Sequence, residues 1–196
     1  MEMEYFRPSG KNSAVDIALL AIMTSLVTVM TAIIQIPYPG TSGYFNLGDA
    51  MVMLGGFLLG PVGGFFAGGV GSALGDMVGG YAHWAPITFI IKGFEGMAVG
   101  YLSFRARKHI RLSIWDIIAV LVGAVIMLTG YYVAQVLLYD AAIAIGELVS
   151  VNLPQVVIGG VVTLLIGPTI SFYLRSFNYD EHDDLAEHTS EYLSTE

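Results

Sequence analysis

The chain has 196 residues, of which 55% are hydrophobic and only 12% are charged, and its formal net charge at pH 7 is −8. This composition excludes an ordinary soluble domain and predicts a polytopic membrane protein. The absence of cysteine excludes disulfide bonds, thiolate metal sites and cysteine nucleophiles.

The N-terminal segment, residues 1–12, has mixed charge and leads into a long apolar run. No small-residue cleavage site follows it, so we expect no removable signal peptide. We interpret residues 1–12 as a cytoplasmic segment and the apolar run, about residues 14–36, as the first membrane-spanning helix.

Five further apolar windows follow in chain order. A bilayer crossing needs roughly twenty apolar residues, and the windows lie at about 47–60, 62–80, 86–104, 114–139 and 152–174. Proline marks several boundaries, since Gly60-Pro61 separates the second window from the third and Pro86 starts the fourth. The sequence therefore predicts an all-α bundle of six transmembrane helices, formed by residues 13–176.

Basic residues lie on one side of these predicted spans. They are Arg7 and Lys11 before the first span, Arg105, Arg107, Lys108 and Arg111 between the fourth and fifth, and Arg175 after the sixth. The positive-inside rule then predicts that both termini are cytoplasmic. We expect a multi-pass protein of the plasma membrane, surrounded by lipid.

The C-terminal segment, residues 177–196, is rich in acidic residues and contains no Lys or Arg. A polar, charged segment with few large apolar residues cannot bury a core. We expect it to be a disordered cytoplasmic tail, and we assign it no function.

Small residues recur at four-residue intervals within the apolar windows. In the first window they are Ala14 and Ala18, followed by Ala21 and Ser25, and glycines repeat in the same way from Gly56 to Gly79. Such spacing lets helix backbones approach closely and usually serves helix packing in membranes. From the residues alone, both sets are packing faces.

Three charged residues, Asp76, Lys92 and Glu95, lie within the predicted third and fourth spans. A charged side chain at the bilayer centre costs at least roughly 2.5–3.5 kcal/mol, so these residues need partners or a function. At about 1.5 Å per residue, Asp76 and Lys92 lie at matching depths. We predict one buried ionic network, which either binds a ligand or only ties the two spans together.

Other polar residues lie in the outer halves of the spans, whereas the inner halves are apolar. They are Asn46, Asp49, Thr88, Gln135, Asn152 and Gln155. This asymmetry favours a cup that opens outward over a channel. The outer aromatic residues Tyr81, His83 and Trp84 either stack on a flat ligand or belong to an interfacial belt. No other histidine lies near His83, so we expect no metal site.

The sequence contains no GxxxxGK[ST], GxSxG or HExxH motif. It therefore lacks a P-loop for ATP and the common hydrolase signatures. We expect a binding subunit that is not an enzyme and holds no cofactor. The alternatives are an intramembrane enzyme that uses Asp76 and Glu95 as acid and base beside Lys92, and a stand-alone small-molecule transporter.

Several motifs resemble those of the substrate-binding membrane subunits (S components) of energy-coupling factor (ECF) vitamin transporters, of the riboflavin, pyridoxine and hydroxymethylpyrimidine type. These motifs are NLGDA (46–50), LGP (59–61), GSALGD (71–76), GGY (79–81), APIT (85–88) and KGFEG (92–96). The resemblance covers residues 12–175 and the layout of six spans. It implies a subunit that captures a vitamin from outside and works with a transmembrane coupling subunit and two cytoplasmic ATPases.

The resemblance also implies roles for particular residues. The face formed by Ala14, Ala18, Ala21 and Ser25 would dock the coupling subunit, although Ile22 interrupts its small-residue spacing. The candidate substrate-binding residues are Asn46, Asp49, Asp76, Tyr81, His83, Trp84, Thr88, Lys92, Glu95, Gln135, Asn152 and Gln155. We expect a B6 vitamer or hydroxymethylpyrimidine ahead of riboflavin, whose larger ring system needs a wider apolar pocket. We expect no nucleic-acid partner.

Overall fold

The computed structural model describes residues 13–39, 43–104 and 112–194, with side chains for residues 14–173 of those ranges. The elements are α1 (Ser13–Ile33), β1 (Ile36–Pro37), β2 (Tyr44–Phe45), α2 (Gly48–Val78), α3 (Ala85–Ser103), α4 (Ile114–Leu138), α5 (Ala141–Glu147) and α6 (Leu153–Ser194). A π-helical turn, Leu148–Asn152, joins α5 to α6.

The prediction of a helical, multi-pass membrane protein is confirmed, but the count of six spanning helices is not supported. In the described part of the chain, the helical stretches long and apolar enough to cross a membrane are Ala14–Ile33, Gly48–Val78, Ile114–Leu138 and Ala141–Tyr173. Helix α3 occupies the predicted fourth span, but Lys92 and Glu95 make it less apolar than these four. The predicted second and third spans belong to one element, α2.

Helix α2 bends sharply at Gly60, whose φ of 77° and ψ of −169° are not helical. Glycine adopts such a positive φ without a steric penalty, and Pro61 next to it has no amide hydrogen to donate. The two arms of α2 fold back on each other, since Gly56 and Gly64 lie in contact on either side of the bend, as do Val52 and Gly68. The predicted boundary at Gly60-Pro61 thus coincides with the turn between the two helical arms of α2.

The two arms of α2 pack against α3 through glycine. Gly56 and Gly64 both lie against the backbone of Gly96, and Gly60 lies against Gly100. A methyl group at Gly56, Gly64, Gly96 or Gly100 would meet a backbone atom rather than a flexible side chain, and one at Gly60 would meet the Phe104 ring. The glycine repeat in this part of α2 is therefore a packing face, as its spacing predicts.

The small residues of α1 behave differently. Helix α1 packs on α2 through a buried face that includes Met23 and Val27. Ala14, Ala18, Ala21 and Ser25 are all exposed. Among the described residues, this face is therefore not the one that α1 packs against α2, in contrast to the expectation from its spacing.

A two-stranded antiparallel hairpin connects α1 to α2, where the sequence predicted only helices and loops. Ile36 pairs with Phe45 and Pro37 with Tyr44. The first helix stops at Ile33 rather than near residue 36. The hairpin directs Tyr44 into the bundle, where it is buried.

The main apolar core lies between α2, α3, α4 and α6. It contains Met53, Phe57, Val99, Met127 and Val156. The core fills the bundle next to the bend in α2, so the polar residues of the same helices are grouped elsewhere.

The remaining predictions concern the location of the termini and the structure of the C-terminal segment. Residues 1–12 and the basic cluster 105–111 lie outside the described residues, so the cytoplasmic location of the termini stays a prediction. The backbone of α6 is helical to Ser194, where we expected a disordered tail. Residues 169–194 contain neither Pro nor Gly to end that helix.

Candidate functional site

A cavity of about 430 Å³, part of it open to solvent, lies between the hairpin and the helices. The lining residues come from the hairpin and all helices: Thr31, Gly43, Tyr44, Asn46, Ser72, Asp76, Trp84, Thr88, Lys92, Tyr131, Gln135, Glu147, Asn152 and Gln155.

Most of the predicted site residues line this cavity. They are Asn46, Asp76, Trp84, Thr88, Lys92, Gln135, Asn152 and Gln155. Asp49 and Glu95 lie behind Lys92 and form no part of the lining. Tyr81 packs against the ring of Tyr44, with ring centroids 4.2 Å apart, and His83 is exposed next to Trp84.

Lys92 is the centre of a buried ionic network. Its Nζ donates to Glu95 Oε2 at 3.0 Å and to Asp49 Oδ1. Lys92 is 3% exposed, Asp49 1% and Glu95 0%, so this network is shielded from water. Removing one member of such a network leaves an uncompensated charge in the interior.

The predicted network paired Lys92 with Asp76, and this pairing is wrong. Asp49 is the carboxylate that meets Lys92, whereas Asp76 accepts a hydrogen bond from the Tyr44 hydroxyl. Depth along a helix gives no information on the direction of a side chain, and Asp76 points towards the hairpin. Burial raises the pKa of Tyr44, and the charge of Asp76 raises it further, so this hydroxyl keeps its proton and donates.

Aromatic side chains form one wall of the cavity. Trp84 packs edge-on against Tyr131, with ring centroids 6.2 Å apart. The Tyr131 hydroxyl donates to Thr88 Oγ1 at 3.1 Å, and Lys92 Nζ lies 5.5 Å from the centre of the Tyr131 ring. Trp84 and Tyr131 are therefore held in place and can contact a flat ligand.

Several polar atoms of the lining are buried without a hydrogen-bond partner among the described residues. They are Thr31 Oγ1, Ser72 Oγ, Asp76 Oδ2, Trp84 Nε1, Gln135 Oε1 and Asn152 Nδ2. Each such atom costs about 1–3 kcal/mol unless something bonds to it. The set contains both donors and acceptors, so a ligand with groups of both kinds would satisfy it.

The π-helical turn places two lining residues on the same side of the helix. Glu147 and Asn152 are five positions apart and both line the cavity. In an α-helix such residues would point about 140° apart, whereas the wider π-turn brings them together. The next lining residue, Gln155, accepts a hydrogen bond from the Asn46 backbone at 2.9 Å, which ties α6 to the start of α2.

Sequence analysis missed five lining side chains: Thr31, Tyr44, Ser72, Tyr131 and Glu147. Ser72 lies in the motif GSALGD, and Tyr131 precedes Gln135 by one helical turn. Both residues could therefore have been predicted from the sequence. Glu147 lies where we expected a loop between two spans. Its role depends on the π-turn, which no residue pattern indicated.

Two comparisons with known proteins bear on this site. A model of the family described as "ECF-type riboflavin transporter, S component" matches residues 11–171. A Pyrococcus woesei protein, described as "Uncharacterized protein in gap 3'region", is 38% identical over 149 residues, which cover 76% of this chain and 94% of that protein. The matched range of the family includes every residue that lines the cavity.

Proposed function

This chain belongs to the family of ECF-type riboflavin transporter S components, and from that premise we propose that it is the high-affinity binding subunit of a vitamin importer. It captures a small heteroaromatic vitamin or vitamin precursor in the cavity between the hairpin and the helices. The observation that carries this proposal is the ring of buried polar atoms without partners around that cavity. Those atoms are satisfied when a ligand with donors and acceptors binds.

We propose a B6 vitamer or hydroxymethylpyrimidine as the first candidate ligand. Both combine a flat ring with hydroxyl groups and ring nitrogens, which suits Trp84 and Tyr131 on one wall and Gln135 and Asn152 on others. Riboflavin is the second candidate because the matching family is described as a riboflavin transporter component. The many polar side chains in the lining, among them Gln135 and Asn152, favour the smaller compounds.

The candidate residues divide into two roles in this proposal. Asn46, Asp76, Trp84, Thr88, Lys92, Gln135, Asn152 and Gln155 contact the ligand or the water around it. Asp49 and Glu95 position Lys92, Tyr81 supports Tyr44, and His83 is exposed next to Trp84.

We further propose that the cavity opens to the outside and that both termini are cytoplasmic, as the distribution of basic residues predicts. Inward release then requires a transmembrane coupling subunit and two cytoplasmic ATPases. The exposed face of α1, formed by Ala14, Ala18, Ala21 and Ser25, is the proposed contact with the coupling subunit. Small residues allow a second helix to approach closely there.

The intramembrane enzyme is a weaker candidate. Glu95 is fully buried behind Lys92 and does not line the cavity, so it cannot exchange a proton with a ligand there. The family is one of transporter components rather than enzymes.

Binding by the purified chain in detergent tests the proposal. Pyridoxine, hydroxymethylpyrimidine and riboflavin are titrated separately by isothermal calorimetry, and one of them should bind saturably without ATP and be recovered unchanged. A covalent change in the bound compound would support the enzyme instead. Sustained uptake by vesicles containing this chain alone would support the stand-alone transporter.

A second experiment tests the docking face. Ala18→Trp should abolish uptake in cells that carry the whole transporter but leave binding by the purified subunit intact. Leu26→Trp is the matched control, because Leu26 is also exposed but points away from the small-residue face. Equal uptake by the two variants would contradict docking through this face.

A further inference from the structure

We propose that the cavity selects its ligand by charge: it takes a neutral or cationic compound and rejects the phosphate ester of the same compound. This inference rests on the proposed function, since it concerns the ligand of that same site. It adds a rule that separates the free vitamin from its phosphorylated form.

Carboxylates outnumber cations around the cavity. Asp76 and Glu147 line it from different elements, and both are buried, with 3% and 2% exposure. Among the described lining residues, Lys92 is the one with a cationic side chain, and it is already paired with Asp49 and Glu95. Among the described residues, a ligand that enters therefore meets more carboxylates than cations, at low dielectric.

Two backbone amides close to the cavity are already hydrogen-bonded within the chain. The first amide of α2, at Gly48, donates to Asn46 Oδ1 at 2.8 Å. At the start of α3, the Thr88 amide donates to Trp84 O at 2.9 Å, and Pro86 has no amide hydrogen. These two amides are therefore not available to a phosphate.

The unpaired atoms indicate what the cavity accepts instead. Asp76 Oδ2 and Gln135 Oε1 need donors, which a hydroxyl, an amino group or a protonated ring nitrogen supplies. Trp84 Nε1 and Asn152 Nδ2 are uncharged donors that suit a ring nitrogen or a carbonyl. Phosphorylation of a ligand hydroxyl removes a donor and adds close to two negative charges.

Paired titrations of the intact chain test the proposal. The pairs are pyridoxal and pyridoxal 5′-phosphate, hydroxymethylpyrimidine and its phosphate, and riboflavin and its 5′-phosphate. For whichever free compound binds, its phosphate should bind on the order of a hundredfold more weakly, because like charges in a buried site repel strongly. Equal or tighter binding of the phosphate overturns the charge rule and leaves the proposed function standing. If none of the free compounds binds, the proposed function fails, and the charge rule fails with it.

Variants identify the carboxylates responsible. Glu147→Gln keeps the shape of the side chain. It should lower the ratio of the dissociation constant of the phosphate to that of the free compound by about tenfold. Asp140→Asn is the matched control, since Asp140 is an exposed N-cap of α5 outside the cavity and Asn caps equally well. Asp76→Asn is a second test on another wall. Ratios that stay at the wild-type value in both cavity variants would overturn the proposal.

Discussion

The two ends of the α2–α3 unit differ in chemistry although the same helices form both. At the closed end, around the bend at Gly60, the backbones of Gly56, Gly64 and Gly96 lie in contact and leave no room for a side chain. At the open end, the same arms present Asp49, Ser72 and Asp76 next to Lys92. The closed end supplies a rigid base, and the open end supplies polar groups that a ligand can satisfy.

This difference separates stability from binding. At the closed end, the backbones of the chain pack directly against each other, so changes there should reduce stability. At the open end, several polar groups are buried without partners among the described residues, so changes there should reduce affinity. Lys92 contributes to both stability and binding, because it lines the cavity and pairs with two buried carboxylates.

The largest effect is expected from Lys92→Met. It leaves Asp49 and Glu95 as buried charges without a cation, which should cost about 3–5 kcal/mol of unfolding free energy and abolish binding. Thermal unfolding in detergent and calorimetric titration measure the two losses. The triple variant Lys92→Met, Asp49→Asn, Glu95→Gln should recover most of the stability but not the binding. A single variant as stable as the wild type would contradict the buried network.

A smaller effect is expected at the closed end from Gly64→Ala. The added methyl group would meet the backbones of Gly96 and Gly56, so we expect a loss of about 1–3 kcal/mol in unfolding free energy. Gly55→Ala is the matched control in the same helix, because its methyl group would meet only ordinary contacts with Ala67 and Met23. Equal melting temperatures for the two variants would argue against backbone contact at the closed end.

Two hydroxyl deletions test the separation of stability and binding directly. Ser72→Ala removes an unpaired hydroxyl of the cavity, so affinity should fall by up to about tenfold while stability is unchanged or slightly higher. Thr163→Val removes a buried hydroxyl that donates to Ala50 O at 3.3 Å away from the cavity. It should lower stability by about 1 kcal/mol without changing affinity. The reverse pattern in calorimetry and thermal unfolding would contradict our division of the two ends.

The smallest effect concerns pH. Tyr44 has a pKa raised above its usual value of 10.0 by burial and by Asp76, so the folded protein binds this proton more tightly than the unfolded chain does. Its contribution to stability is complete below about pH 10 and declines as the pH rises beyond that. Between pH 8 and 11, the wild type should therefore lose more stability than Tyr44→Phe, as measured by melting temperature. Parallel losses would show that Tyr44 is not buried beside a carboxylate.

Much of the site could be predicted from the sequence because charge in an apolar helix is rare and expensive. This argument found Asp76 and Lys92, and the outer-half polar residues followed from the layout of the windows. It could not find the partner of Lys92, because the direction of each side chain depends on how the arms of α2 pack. It also missed Glu147, whose position depends on the π-turn before α6.

The fold could be predicted less completely. Hydropathy and proline positions located the helices and the turn at Gly60 between the two arms of α2. The small-residue spacing of α1 and α2 looked the same in sequence, yet only the α2 glycines pack within the chain. The spacing of small residues indicates that another helix can approach closely, but tertiary structure decides which helix does so.

The most direct test of the central claim is native mass spectrometry of the detergent-purified chain after incubation with pyridoxine, hydroxymethylpyrimidine and riboflavin together. We predict a single 1:1 complex with one of these compounds, released unchanged on extraction and absent from the Lys92→Met variant. A chain that retains none of the three, or that retains one equally well in the Lys92→Met variant, would contradict a vitamin-binding role for this cavity.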